Sequence, residues 1–259
     1  MAGVDNAIYD RIPDAWWSDD SFMALLRHAV NPPRLAYFRD VLERRFGAGV
    51  AARELLDVGC GGGLLAEGFA ALGWRVSGID RSLPTLAAAR EHARASGLAI
   101  DYQPGDAAAL PFDAGRFNVV CCCDVLEHVN DVDRVVGEIV RVLKPGGVFL
   151  FDTINRTWRS RVLAIWLAQD WAPTRVVPRG VHAWESFVRP QELAASLERH
   201  RLPAREFAGL SPRANPLRLL AALVRLKLAR ISYGEMARSV ALVKSTDLSV
   251  SYMGYACTF

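Results

Sequence analysis

Two periodicities follow one another along the chain. Up to residue 50 the apolar positions recur at helical spacing, first Phe22, Met23, Leu25 and Leu26, then Leu35, Phe38, Val41 and Leu42, three or four residues apart as on one face of a helix. Ser18 or Asp19 is the expected N-cap of the first helix, and Asn31-Pro32-Pro33 is expected to break it from the second. From Glu54 the pattern changes to short apolar runs separated by helical stretches. Strands are predicted at 55–58, 75–79, 99–103, 119–123 and 147–153, with helices near 64–72, 83–96 and 131–143. Uninterrupted apolar strands alternating with helices predict a parallel sheet covered on both faces. Lys144-Pro145-Gly146-Gly147 predicts a helix stop and a tight turn into the fifth strand.

After Thr153 the alternation fades. Residues 156–185 carry Trp158, Trp166, Trp171 and Trp184 among Arg156, Arg159, Arg161 and Arg175, an interfacial composition. Pro190 is expected to start a helix through 199, and residues 217–231 form a leucine-rich helix with Arg218, Arg225, Lys227, Arg230 and no acid. The run 248–257 is β-branched enough to be a last strand. This layout predicts a single domain in three parts: a helical cap over 1–50, a core over 51–156, and a substrate and lid region over 157–259. Residues 156–185 and 217–231 are expected over the mouth of a pocket. The latter pattern suits an ordinary lid better than a membrane-surface helix, which stays as the alternative.

Composition narrows the function classes. With 259 residues the chain suffices for one large α/β domain. A net charge of only +3 and the lack of any nucleic-acid-reading motif predict no nucleic-acid partner. The five cysteines, Cys60, Cys121, Cys122, Cys123 and Cys257, lack a disulfide framework. The three adjacent ones sit on a predicted strand, face alternate sides and cannot share a metal. Free thiols imply a reducing compartment. Met1 to Asp14 has no apolar segment, and no window reaches the roughly 18 apolar residues of a membrane span. The expected location is the cytoplasm, with peripheral membrane contact left open.

The chemistry concentrates in Leu55-Leu56-Asp57-Val58-Gly59-Cys60-Gly61-Gly62-Gly63, a buried strand running into a glycine-rich turn that opens a helix. Glycines let a ligand approach the backbone, and the helix N-terminus adds free N–H groups. The dinucleotide fingerprint fails, because Leu64 stands where its third glycine belongs, and a nicotinamide oxidoreductase would also want a Tyr–Lys pair that is missing. The spacing present is GxGxG, Gly59, Gly61 and Gly63, behind an acid, Asp57. It resembles methyltransferases that bind S-adenosylmethionine, whose cationic amino group the acid can receive. Asp80 ends the second strand, where an acid grips ribose hydroxyls. In that class the acid after the third strand, here Asp106 in Gly105-Asp106-Ala107, faces adenine. Cys60, Arg81 and Ala107 adjoin these positions and are counted with the cofactor contacts. The implied architecture is a Rossmann-like, seven-stranded α/β sheet with helices on both faces and a helical lid.

More of the chain, from about residue 15 to 216 and again near 248–253, resembles the family that methylates polyprenyl-hydroxyphenol precursors of ubiquinone. The resemblance is carried by Trp16-Trp17, Asn31-Pro32-Pro33-Arg34-Leu35, Thr153-Ile154-Asn155-Arg156-Thr157, Val177-Pro178-Arg179-Gly180-Val181-His182-Ala183-Trp184, Phe187 and Arg189-Pro190-Gln191-Glu192-Leu193. It implies that Arg34 lies over the cofactor, that Gly59, Asp80 and Cys123 touch it, and that Asp124, Glu127 and His128 hold Mg2+. At i, i+3 and i+4 these three would share one helix face. The chain departs from the family at Val181 and Ala183, where Gly-Thr-His-Asp is usual, and at Ser251, where Asn is usual. An insertion over 217–245 also has no counterpart. All these departures fall in the substrate half.

Methyl transfer is an in-line displacement from an already activated sulfonium, so the protein chiefly supplies positioning and desolvation. A phenolic acceptor must lose a proton, which points to histidine. His128 is preferred because it follows the fourth strand, with His182 second, Glu127 beside them and His28 weaker. His92 and His200 are expected to be surface residues. The leading expectation is O-methylation of a phenolic or catechol hydroxyl, on a small molecule that includes polyprenylated quinone precursors. The alternatives are another oxygen, nitrogen or carbon acceptor in specialised metabolism, and a cofactor-binding protein without catalysis.

Overall fold

The computed structural model describes residues 4–47 and 53–258. The expected boundary between cap and core, at residues 50 and 51, lies outside the described residues. Eight strands form one sheet: β1 (Glu54–Val58), β2 (Arg75–Asp80), β3 (Ile100–Pro104), β4 (Phe117–Cys123), β5 (Leu143–Ile154), β6 (Ala204–Pro212), β7 (Leu242–Ser245) and β8 (Ser251–Cys257). Their order is β3-β2-β1-β4-β5-β8-β6-β7. β1 pairs in parallel with β2 and β4, β2 with β3, and β4 with β5. β8 runs antiparallel between β5 and β6. Chain order reverses between β1 and β4, so a crevice opens beyond their C-terminal ends, where open α/β sheets bind ligands.

Alternation along the buried strands divides the core between two faces. Leu55, Val76, Val119, Cys121, Cys123 and Leu150 pack on one side with Tyr37, Phe38, Phe69 and Leu86 from the helices Asn31–Phe46, Leu64–Ala71 and Leu83–Ala95. Leu56, Val58, Val120, Cys122 and Phe149 pack on the other with Val135, Ile139, Leu193 and Leu197 from the helices Val132–Val142 and Pro190–Arg199. All five thiols are free and buried, and the Cys121–Cys123 run is split between the faces as expected.

Several local expectations are corrected. The sheet has one strand more than seven, because the 217–245 insertion supplies β7, which pairs with the outer edge of β6. At four residues β7 was too short to show alternation. Neither Ser18 nor Asp19 caps the first helix. Phe22 stands at the N-cap without a side-chain bond, and the Asp19 carboxylate is taken by Arg27, His28 and Arg238. Asn31-Pro32-Pro33 does not break the chain: a π-helical turn, Leu26–Val30, runs straight into Asn31–Phe46. Prolines tolerate a first helical turn, and the widened turn before them relieves the clash with preceding carbonyls.

The Lys144–Gly147 stretch is a bulge inside β5 rather than a turn before it, since Phe117 pairs with Leu143 and Val119 with Val148. The basic helix spans Pro216–Lys227, and a second, unexpected helix, Tyr233–Val240, follows it. Of the four tryptophans in 156–185, Trp158, Trp166 and Trp171 are exposed. Trp184 turns inward and donates to the Thr157 carbonyl at 2.8 Å. No helix among the described residues is long and apolar enough to cross a membrane.

Candidate active site

The crevice between β1 and β4 holds a cavity of about 350 Å3, within the range of small-molecule sites. Arg34, Asp57, Gly59, Cys60, Gly61, Asp80, Arg81, Asp106, Ala107 and Cys123 all line it, and Gly63 does not. A Cβ on Gly63 would come within 2.2 Å of the Tyr102 hydroxyl, so this glycine serves the packing of helix on sheet. Gly62 is a requirement the sequence did not reveal. A Cβ there would come within 2.3 Å of Trp16 Cγ, because the N-terminal cap lays the Trp16 indole flat on the glycine turn.

Asp80 organises the turn from the tip of β2. Its Oδ2 accepts from Gly61 N at 3.0 Å and its Oδ1 from Ser82 N at 2.9 Å. Asp57 is buried at the end of β1, and its Oδ2 has no partner. Burial pushes its carboxyl up to about 7, against the pull of Arg34 and with a further push from Asp80. An unpaired buried acceptor is costly, and a cationic ligand group placed there would relieve it. Asp106 is half-exposed and accepts from Ala108 N at 2.9 Å. Its pair with the exposed Arg81, at 4.0 Å, contributes little.

Arg34, delivered by the helix Asn31–Phe46, is buried between two carboxylates, Asp124 Oδ2 at 2.8 Å and Asp152 Oδ1 at 2.7 Å. Burial opposes its charge, but these two acids outweigh that and hold the guanidinium well above its ordinary value. Asp124 Oδ2 is therefore engaged, while the residue stays part-exposed on the cavity wall. It sits at a φ of 55° outside the short 3-10 turn Leu126–His128, so the helical spacing that was to place it beside Glu127 and His128 does not exist. The structure instead brings in His182: one carboxylate oxygen of Glu127 and one ring nitrogen each of His128 and His182 lie within 4.8 Å of one another.

Glu127 is buried, accepts from Thr153 Oγ1 at 2.6 Å through Oε2, and leaves Oε1 without a partner. Burial, then Asp124, push its carboxyl up to about 8. Burial takes His128 down to about 4, with His182 adding to the effect, and His182 likewise down to about 4. The buried Gln169 fixes the His182 backbone, accepting from its N–H at 2.8 Å and donating to its carbonyl at 3.1 Å. His28 takes no part, since it bonds Asp19 at 2.8 Å. His92, expected on the surface, is half-buried between Glu67 at 2.8 Å and the face of Trp17.

Two contributors escaped sequence reasoning, Asn6 and Tyr9. Tyr9 stacks on Trp16 and meets His128 edge-on, with ring centroids 6.0 Å apart. Burial and the nearby Asp124, Glu127 and Asp80 raise its phenol far above its ordinary value. They lie beside and on the single helical turn Ile8–Arg11, too short for a periodicity to be read.

Comparison with known proteins agrees with this geometry. Residues 56–151 match the family model described as a methyltransferase domain. A methyltransferase from Aquifex aeolicus superimposes with a TM-score of 0.56 at 14% identity, covering 97% of each chain. Phosphoethanolamine N-methyltransferase 2 of Haemonchus contortus, solved with S-adenosyl-L-methionine, gives 0.62 at 18% identity over 96% of this chain and 60% of that one. At such identities the likeness is one of fold. Fold, crevice and domain together define an S-adenosylmethionine-dependent methyltransferase, an enzyme acting on a small-molecule methyl acceptor. The ubiquinone biosynthesis O-methyltransferase of Rhodopseudomonas palustris (strain BisA53) is 40% identical over 210 residues, 79% of this chain and 81% of that protein. The chain belongs to the ubiquinone biosynthesis O-methyltransferase family.

Proposed function

We propose that the protein methylates a hydroxyl of a phenolic or catechol quinone precursor carrying a polyprenyl chain. The observation that carries this is the Glu127–His128–His182 cluster beside the cofactor crevice. A carboxyl near 8 is better matched to a phenolic proton than an imidazole near 4. Glu127, which lies within 4.8 Å of both imidazoles, is therefore assigned as the base, and the neutral His128, which lines the cavity, orients the hydroxyl. The acceptor proton passes to Glu127, the oxygen–methyl bond forms as the carbon–sulfur bond breaks, and S-adenosylhomocysteine leaves. In the crevice Asp57 would receive the cofactor's amino group, Asp80 would hold its ribose, and Asp106 would face its adenine, since all three line the cavity. Gly59, Cys60, Gly61, Arg81, Ala107 and Cys123 form the walls. The chain acts as one domain with an N-terminal cap, a cofactor core and a substrate and lid region.

The same cluster fits a divalent ion. The orphaned Glu127 Oε1 and His182 Nδ1 are unspent donors, and Glu127, His128 and His182 would hold it in place of the Asp124 set. Mg2+ was expected, but two imidazoles suit zinc or iron better. Such an ion would supply Lewis-acid polarisation of the hydroxyl.

The segments expected to form the lid contribute no residue to the cavity lining, but they suit a lipid-like acceptor. Trp158 at 71% exposure, Trp166, Trp171, Leu217 at 77%, Leu220 and Leu228 are open to solvent among basic side chains, and Lys227 Nζ donates to the Arg175 carbonyl, tying the two segments together. A cytoplasmic enzyme in peripheral contact with an anionic membrane fits these features. Methyl-transfer assays on prenylated catechols, with and without a chelator, test the reaction and the ion. Flotation with anionic liposomes tests the contact, and protein remaining unbound would sink it.

A further inference from the structure

We infer that Asn6 is a positioning residue for His128, locking its imidazole in the tautomer that carries hydrogen on Nδ1. This rests on the reading that His128 belongs to the acceptor site. Asn6 makes two bonds to the one residue: its Nδ2 donates to the His128 carbonyl at 3.2 Å, and its Oδ1 lies 3.1 Å from His128 Nδ1. A carbonyl oxygen only accepts, so the amide nitrogen must face it. The amide oxygen is then the atom that faces the ring, and the ring nitrogen opposite it must be the donor. Nδ1 therefore bears the hydrogen, and in the neutral imidazole the lone pair is on Nε2, which makes no hydrogen bond among the described residues. An imidazole free in water prefers the opposite tautomer, so this bond sets which nitrogen can accept from a hydroxyl or bind an ion.

The surroundings keep Asn6 in place. Asp5 N donates to the Gly180 carbonyl at 2.8 Å, which ties the segment to the loop that carries His182. Thr85 Oγ1 donates to the Tyr9 carbonyl at 3.2 Å, and the Tyr9 ring edge closes on His128. The N-terminal segment thus reaches His128 directly and the loop of His182 at Gly180, and its seat on the glycine turn through Trp16 couples it to the cofactor side.

The test is side-chain 15N NMR on the full chain. His128 is identified among the five histidines by loss of its signals in His128→Gln. The expected pattern is a protonated Nδ1 and an unprotonated Nε2 in the parent protein, moving toward the Nε2–H form in Asn6→Ala. With a prenylated catechol, Asn6→Ala should lower kcat about tenfold and change KM for S-adenosylmethionine less than about twofold, since Asn6 is exposed and its loss leaves the core intact. A parent protein with hydrogen on Nε2 overturns the inference, and so does an Asn6→Ala protein with unchanged tautomer, whatever its kcat. The tautomer reading needs no acceptor, so it stands or falls apart from the proposed substrate.

Discussion

Titration of Asp57 gives cofactor binding a steep pH dependence. Its buried carboxyl is held at about 7, and a cationic amino group seated on it favours the ionised form. Binding below that value must expel a proton. The ionised fraction falls from about nine-tenths at pH 8 to about one-hundredth at pH 5, so Kd for S-adenosylhomocysteine should rise about 90-fold over that range, ~2.7 kcal/mol. Calorimetric titrations in buffers of different ionisation enthalpy count the proton directly: about one-half released at pH 7 and about nine-tenths at pH 6. In the unliganded protein the sign is opposite. The folded carboxyl binds its proton more tightly than the unfolded one, so Asp57 favours folding at low pH, and that contribution fades between roughly pH 4 and pH 7. Asp57→Asn should bind more weakly than the parent at pH 8 and show a much flatter profile. Affinity that does not change between pH 8 and pH 6, or an equal slope in Asp57→Asn, would refute the reasoning.

Other expectations follow from the same contacts. Arg34→Ala leaves the buried Asp152 and the part-exposed Asp124 without their cation and should cost about 3–5 kcal/mol in denaturant unfolding; a loss under about 1 kcal/mol would contradict the bridge. Gly62→Ala pushes a methyl into Trp16, so stability should fall by about 1–3 kcal/mol, and most of that cost should vanish when the same substitution is made in a Trp16→Ala background. Glu127→Gln should lower kcat by roughly 10²–10⁴-fold while S-adenosylhomocysteine binds as before, and the residual rate should no longer rise with pH toward 8.

The cofactor half was legible because its determinants are contiguous. A strand, its terminal acid and the next turn occupy Asp57 to Gly63, so sequence spacing is spatial spacing. Asp80 and Asp106 follow from the same logic at the ends of β2 and β3. The acceptor half is assembled from afar: His182 reaches Glu127 across more than fifty residues of chain, and Asn6 reaches His128 across 122. Spacing failed at Asp124 because one left-handed residue, φ 55°, breaks the helical geometry that i, i+3, i+4 presumes. The N-terminal break was misplaced for a related reason. Asn31-Pro32-Pro33 reads as a stop until a π-helical turn accommodates it. Tertiary partners also reassigned Asp19, a plausible cap by sequence, to Arg238 in the insertion.

The most direct test of the account is methyl transfer itself. The enzyme is incubated with methyl-labelled S-adenosylmethionine and a catechol bearing a short prenyl chain, and products are followed by mass spectrometry and NMR. The expected result is an O-methyl ether formed in step with S-adenosylhomocysteine, and formed at least about 10²-fold more slowly in Glu127→Gln at saturating cofactor. Tight S-adenosylhomocysteine binding with no methyl ether from any catechol or phenol would contradict the acceptor assignment and leave only the cofactor half standing.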